Sequence, residues 1–229
     1  MLQIDTLINA PTPSNCYILS ESSASPCIIV DPGTEDCTQL TAFLKDKKLI
    51  PEYVIVTHEH FDHCIGCNKL KEYYSDLKII ASRACSLHMP STQWNLSEYA
   101  EKVQPTIIRQ ADILIENIDD ELYWQNYRLQ FFEARGHSEG SVCFSIGNLL
   151  FTGDTLIKGY KTVTTLKGGS KQHLLDTFRY LSDNYNAPGI KVYPGHEEPF
   201  HFSEIREALE KQTAAIELKL KNTPHKTRS

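Results

Sequence analysis

Tyr53-Val54-Ile55-Val56-Thr57-His58-Glu59-His60-Phe61-Asp62-His63 runs from an almost wholly apolar segment straight into a loop crowded with imidazoles and carboxylates. The apolar half reads as a strand buried on both faces, which belongs in an α/β sheet. The polar half then falls where such folds place their chemistry, in the loop beyond the carboxyl end of a strand. His58 and His60 are two residues apart, so in an extended segment their side chains project to one side and can grip one ion. Asp62 and His63 follow at the start of a helix, offset toward a second ion beside the first. A solvated polar loop does not account for three imidazoles at this density.

The elements around this stretch alternate between strands and helices. Upstream, Asn15–Leu19 and Cys27–Val30 read as strands, the second ending in the Asp31-Pro32-Gly33 turn, and Thr38–Asp46 as a short helix. Downstream, a helix is predicted from Asp62 to Tyr74 and a strand over Leu77–Ala81. The irregular stretch Ser82–Pro105, with Pro90, Trp94 and Tyr99, reads either as a helical cap over the site or as a surface excursion. Strand patterns return at Glu121–Trp124 and Tyr127–Ala134, and Val142–Phe151 forms a hairpin around Gly147-Asn148. Lys171–Asn184 is predicted helical, with Leu174, Leu175, Phe178 and Leu181 on one face. A strand follows at Ile190–Tyr193, and Ser203–Leu220 is predicted as a closing helix with Ile205, Leu209, Ile216 and Leu220 aligned. Two similar halves, packed sheet on sheet with helices outside, fit this order. Residues 1–221 read as one domain and Asn222–Ser229 as a polar tail.

Composition narrows the function. The 229-residue chain is 41% hydrophobic and 10% aromatic, which suits a packed core, and its formal net charge is −6. No dense Lys/Arg run offers the footprint a nucleic-acid binder needs. No window approaches the roughly 18 to 20 apolar residues of a membrane span, and no signal segment precedes the first strands. The seven cysteines are odd in number and scattered, as expected of free thiols in a reducing compartment. A cytoplasmic enzyme with a small-molecule substrate is the resulting expectation, with no nucleic acid or membrane partner; the oligomeric state stays open.

Three further segments each place a candidate ligand in a Gly-bearing loop: Gly136-His137-Ser138, Gly153-Asp154-Thr155 and Gly195-His196-Glu197. The other histidines, His88, His173, His201 and His225, read as surface or structural, and only His88 falls in the possible cap. Cys64 and Cys67 form a Cys-x-x-Cys beside the metal loop. Two small buried residues account for it better than redox chemistry.

The run from Thr57 to His63, followed in order by His137, Asp154 and His196, resembles the metallo-β-lactamase superfamily. Gly136–Ser141 and Phe151–Thr155 are most similar to its glyoxalase II group, the hydroxyacylglutathione hydrolases and their short relatives. The resemblance implies a four-layer αββα sandwich with metals at one edge. It implies that His58, His60 and His137 hold one ion, that Asp62, His63 and His196 hold the other, and that Asp154 bridges them. Asp31 and Thr57 would orient ligands, or serve only as a turn residue and a strand terminus. Two divalent ions are implied; imidazole and carboxylate without cysteine suit zinc, and iron and manganese also accept them. The activity implied is attack by a metal-bound hydroxide on a thioester or related ester, with Asp62 also able to accept a hydrogen bond from the nucleophile. The alternative on this scaffold is a mononuclear iron oxidoreductase such as a persulfide dioxygenase. After Asp154 the chain runs Thr155-Leu156-Ile157-Lys158-Gly159-Tyr160-Lys161, without the Gly-Arg element usual in the glyoxalase II group. Lys158, Tyr160 and Lys161 therefore either grip an anionic substrate or belong to a solvated loop.

Overall fold

The computed structural model describes residues 1–116 and 120–222. In chain order the first half comprises β1 (Gln3–Ile8), β2 (Asn15–Ser20), β3 (Pro26–Val30), α1 (Thr38–Lys47), β4 (Ile50–Ile55), α2 (Phe61–Cys64), α3 (Cys67–Tyr73), β5 (Lys78–Ser82), α4 (Arg83–His88) and β6 (Ile113–Ile115). The second half comprises β7 (Glu121–Trp124), β8 (Tyr127–Glu133), β9 (Val142–Ile146), β10 (Leu149–Gly153), α5 (Lys171–Asn184), β11 (Lys191–Pro194), β12 (Phe200–His201) and α6 (Arg206–Lys221). Each half builds one sheet, ordered β1-β2-β3-β4-β5-β6 and β12-β11-β10-β9-β8-β7. The expected αββα sandwich is the architecture observed.

Alternation along the strands makes the layers. Tyr17, Leu19, Ile28, Val30, Ile55 and Ile80 face Leu129, Phe131, Phe144, Phe151 and Tyr193 in the central layer between the sheets. Their strand neighbours Ile18, Ile29, Val54 and Ile79 point the other way, into the core under α1, α3 and α4. Likewise Phe132, Cys143, Leu150 and Val192 pack against Leu174, Phe178 and Leu181 of α5 and Leu209 of α6. Because both faces are covered, the strands read as continuous apolar runs. The fold therefore brings the loops after β4, β8, β10 and β11 to one edge.

Three expectations need correction. The helix predicted over Asp62–Tyr74 is two helices, broken at Ile65-Gly66. The Gly66 backbone presses so closely on the turn after β3 that a Cβ there would lie 2.7 Å from Cys37 Sγ, Pro32 O and Thr34 O. Its N–H is meanwhile spent on Pro32 O at 2.9 Å. The closing helix begins at Arg206 after a 3₁₀ turn over Phe202–Glu204. Short β6 and β12 were not predicted, having too few residues to show a period. The expected tail lies, from residue 223 on, outside the described residues, as does His225.

No helix among the described residues is long and apolar enough to cross a membrane. The Gly66 contact predicts that Gly66→Ala destabilises the fold by about 1–3 kcal/mol, the usual cost of overpacking. Chemical denaturation of metal-stripped protein measures it, and an unchanged midpoint contradicts the packing argument.

Candidate metal centre

The donor loops meet at the sheet edge. Beyond β4, His60 Nδ1 lies 3.0 Å from His58 Nε2 and 3.0 Å from His137 Nε2, the latter borne on the loop after β8. The outer nitrogens set the tautomers. His137 Nδ1 is 3.0 Å from the carbonyl of Val163, and His58 Nδ1 is 3.1 Å from Thr57 Oγ1. Thr57 Oγ1 itself donates to Asp31 Oδ2 at 2.7 Å, so it accepts from His58. The Nε2 lone pairs of His58 and His137 are thereby aimed toward His60 Nδ1.

Beside them, His63 Nε2 lies 3.6 Å from Asp62 Oδ2 and 3.4 Å from Asp154 Oδ1. His196 Nε2 lies 3.5 Å from Asp62 Oδ2 and 3.4 Å from Asp154 Oδ2. The outer nitrogens are again engaged, His63 Nδ1 with Asp31 Oδ2 at 3.0 Å and His196 Nδ1 with the carbonyl of Pro13. Asp154 Oδ2 is also 3.6 Å from His137 Nε2, so this carboxylate faces both groups. Gly195 permits the approach: a Cβ there would stand 2.2 Å from Asp154 Oδ1 and 2.7 Å from His63 Cε1.

These donors fit divalent metal ions. His58, His60 and His137 form one set whose ligand atoms lie within 4.8 Å of one another, Asp62, His63 and His196 a second, and His58, His63 and Asp154 a third. Among the described residues, the buried atoms His63 Nε2 and Asp154 Oδ1, which face one another in this cluster, have no hydrogen-bond partner. Burying polar atoms unpaired is costly, and for converging donors a cation removes that cost.

Charge in the metal-stripped site divides along the same line. Burial, with His63 and His60 adding to it, drives His58 well below the ordinary imidazole range. Burial and then His137 bring His60 to about 4. Burial would lower His63 too, but Asp62, Asp154 and Asp31 overcome it and hold the group at about 9. At His196 burial is likewise outweighed, by Asp154 and Asp62, and the value is about 11. Burial opposes ionisation of Asp154, yet His63, His196 and His137 hold it well below the usual carboxylate range.

All seven sequence-predicted ligands thus converge, and Asp31 and Thr57 contact ligand imidazoles. Asp31 Oδ1 also accepts from Thr57 N at 2.7 Å. The Ser82–Pro105 segment packs beside the loop: Asn95 O accepts from Phe61 N at 2.7 Å, and Leu96 and Tyr99 line a cleft with Phe61. Cys64 and Cys67 are fully buried, and burial pushes both thiols up, against a redox role. Lys158 pairs with Glu204 at 2.5 Å, whereas Tyr160 and Lys161 join Ile157, Val163, His137 and His196 around a cleft of about 290 Å³ at the donors. Sequence reasoning gave no role to Glu59, a carboxylate between His58 and His60 in the loop after β4. It also missed the carbonyls of Val163 and Pro13, which no residue type advertises.

A two-sheet sandwich with histidines and aspartates gathered at one edge defines a class of metal-site protein. The chain belongs to the metallo-beta-lactamase superfamily, whose family model matches residues 9–196. It is 31% identical over 167 residues to the probable metallo-hydrolase YqgX of Bacillus subtilis, covering 72% of this chain and 76% of that protein. It is 28% identical over 143 residues to a hydroxyacylglutathione hydrolase of Psychromonas ingrahamii, covering 62% of this chain and 47% of that enzyme. Among solved structures it resembles the BLEG-1 B3 metallo-beta-lactamase, with a TM-score of 0.78 and 25% identity over 90% of this chain and 97% of that one. Family and relatives support a metal-dependent hydrolase.

The raised values predict a pH dependence for protein stripped of metal by a chelator. His63 and His196 bind protons more tightly folded than unfolded, so their contribution is complete below about 6.5, the unfolded value, and is lost as pH rises from there through about 9 for His63 and about 11 for His196. Thermal unfolding in chelator should fall steadily from pH 6.5 to 9.5. A flat profile contradicts the assignment.

Proposed function

We propose that this chain hydrolyses a thioester or related ester with two divalent ions, zinc suiting the donors. The observation that carries the reading is Asp154, set between the three imidazoles and the mixed group, at the floor of a cleft roomy enough for an acyl substrate. His58, His60 and His137 would hold one ion, Asp62, His63 and His196 the other, and Asp154 both. Bound there, the ions supply hydroxide at neutral pH and positive charge for a developing oxyanion.

The chain's own residues do the rest. Val163 O, Thr57, Asp31 and Pro13 O engage the outer nitrogens of His137, His58, His63 and His196 and so turn the inner nitrogen of each toward the centre. Asp62, besides serving as a ligand, has a carboxylate able to accept a hydrogen bond from the nucleophile and orient it. Ile157 and Val163 give the cleft an apolar wall, while Tyr160 and Lys161 stand at its rim. That arrangement suits an acyl chain joined to a polar or anionic leaving group. The partial match to hydroxyacylglutathione hydrolase supports thioester chemistry without specifying glutathione.

Protein purified without added metal should contain two zinc ions per chain and turn over simple acyl-thioesters. One iron per chain, with no thioester turnover, would replace this reading with the persulfide dioxygenase alternative. Asp154→Asn should lower metal content and cut kcat/KM at least ~100-fold, in line with loss of a group that positions catalytic charge. A fully loaded, fully active variant contradicts the bridging role.

A further inference from the structure

Glu59 lies between His58 and His60 in sequence, yet its side chain points away from both into the protein and is completely buried. A buried carboxylate is expensive unless it is held by partners. Here Oε2 accepts from Ser138 Oγ at 2.9 Å, and Ser138 is the residue next to His137. Ser138 Oγ also meets Ser141 Oγ at 2.9 Å, and Ser141 Oγ accepts from Ser138 N at 3.2 Å, which closes the 138–141 turn. The other oxygen, Oε1, faces His88 Nδ1 at 3.5 Å, and both are without a hydrogen-bond partner.

His88 closes α4, and it is clamped. Its ring stacks on Trp94 with centroids 3.8 Å apart and planes at 9°. Lys167 Nζ sits over the indole 4.7 Å from its centroid. Lys167 belongs to the same segment as Val163, whose carbonyl holds His137 Nδ1. Two braces therefore act on the three-imidazole group. One is direct, from Glu59 through Ser138 to the His137 loop. The other runs from Glu59 through His88 and Trp94 to the segment that orients His137 from its far side.

We propose that Glu59 is a positioning residue that sets the spacing of the His58–His60 pair relative to His137, and that His88 and Trp94 carry its position to the segment bordering the cleft. The proposal rests on the metal-centre reading above. On this reading the Ser82–Pro105 segment braces the donors from beneath. Among the described residues no hydrogen bond or ion pair joins the Glu59 side chain to Asp62, His63 or His196, so its effect falls on the three-imidazole group.

The experiment is titration of metal-stripped protein with Co²⁺, read by visible absorption, by calorimetry and by Trp94 emission in a Trp124→Phe background. The native chain should bind two Co²⁺, the Trp94 emission changing as the three-imidazole group fills. Glu59→Gln keeps the shape of the side chain. It should weaken one Co²⁺ site by about 10- to 100-fold, the usual effect of losing a group that orients ligands, and leave the other within about 2-fold. His88→Gln, at the edge of the cluster and easier to accommodate, should weaken the same site in the same direction and abolish the Trp94 response. Weakening confined to one site separates positioning from general loss of fold, which would weaken both. Affinities at both sites of Glu59→Gln within about 2-fold of the native chain, or weakened alike, overturn the proposal. If Glu59→Gln does not fold, unchanged affinity and emission response in His88→Gln overturn it. Absence of Co²⁺ binding in the native chain overturns the metal-centre reading, and this proposal with it.

Discussion

Asp31 is the anchor on which the candidate centre depends. Its backbone sits at φ 53°, in the left-handed region that aspartate tolerates better than most residues. That conformation turns the chain out of β3 and leaves the carboxylate buried at the strand end. One oxygen takes the Thr57 N–H; the other takes Thr57 Oγ1 and His63 Nδ1. A single side chain therefore ties the end of β3 to the end of β4 and to the start of α2. Through Thr57 it reaches His58, and directly it reaches His63, so it orients one ligand in each half of the centre. Such contacts fix the orientation of a donor ring before any ion arrives, which reduces the reorganisation that binding would otherwise require.

The N-terminal hairpin holds the opposite loops in a comparable way. Asn15 Nδ2 contacts Tyr17 Oη and the carbonyls of Pro194 and Glu197, flanking His196 on both sides. Tyr17 Oη donates to Pro194 O at 2.6 Å, and Ser14 Oγ donates to the carbonyl of Asp62. The loop that carries His196 is thus held by the first sheet although its strand belongs to the second. This cross-sheet bonding helps donors from four loops keep common geometry across a sandwich whose central layer is largely apolar. Apolar contacts are not directional and cannot by themselves align imidazoles.

How much of this was legible in the sequence follows from the physical range of each interaction. Strands buried on both faces appear as apolar runs, and metal donors carry their chemistry in their residue type, so the sandwich and the seven donors could be read directly. The break at Gly66 could not, since it arises from contact with Pro32 and Thr34, distant in sequence, and local helix propensity carries no trace of it. Strands as short as β6 and β12 exist because a neighbour pairs with them, not because of their own pattern. Glu59 was visible as a residue but not as a participant, because its partners Ser138 and His88 come from other segments. Val163 and Pro13 act through carbonyls common to every residue.

Lys158 and Lys161 show how local reading leaves a question that geometry divides. Both stand in one loop after Asp154, and sequence offers no reason to separate them. Lys158 is turned to Glu204, where an exposed ion pair contributes little energy but removes the ammonium from the cleft. Lys161 borders the cleft itself, and no ion pair to it is found among the described residues. Lining by Ile157 and Val163 lowers the effective dielectric around an incoming group, so one unpaired ammonium at the rim acts more strongly there than on an open surface. The cleft therefore sets an apolar lining from Ile157 and Val163 beside a cation at Lys161, next to the donors of the candidate centre.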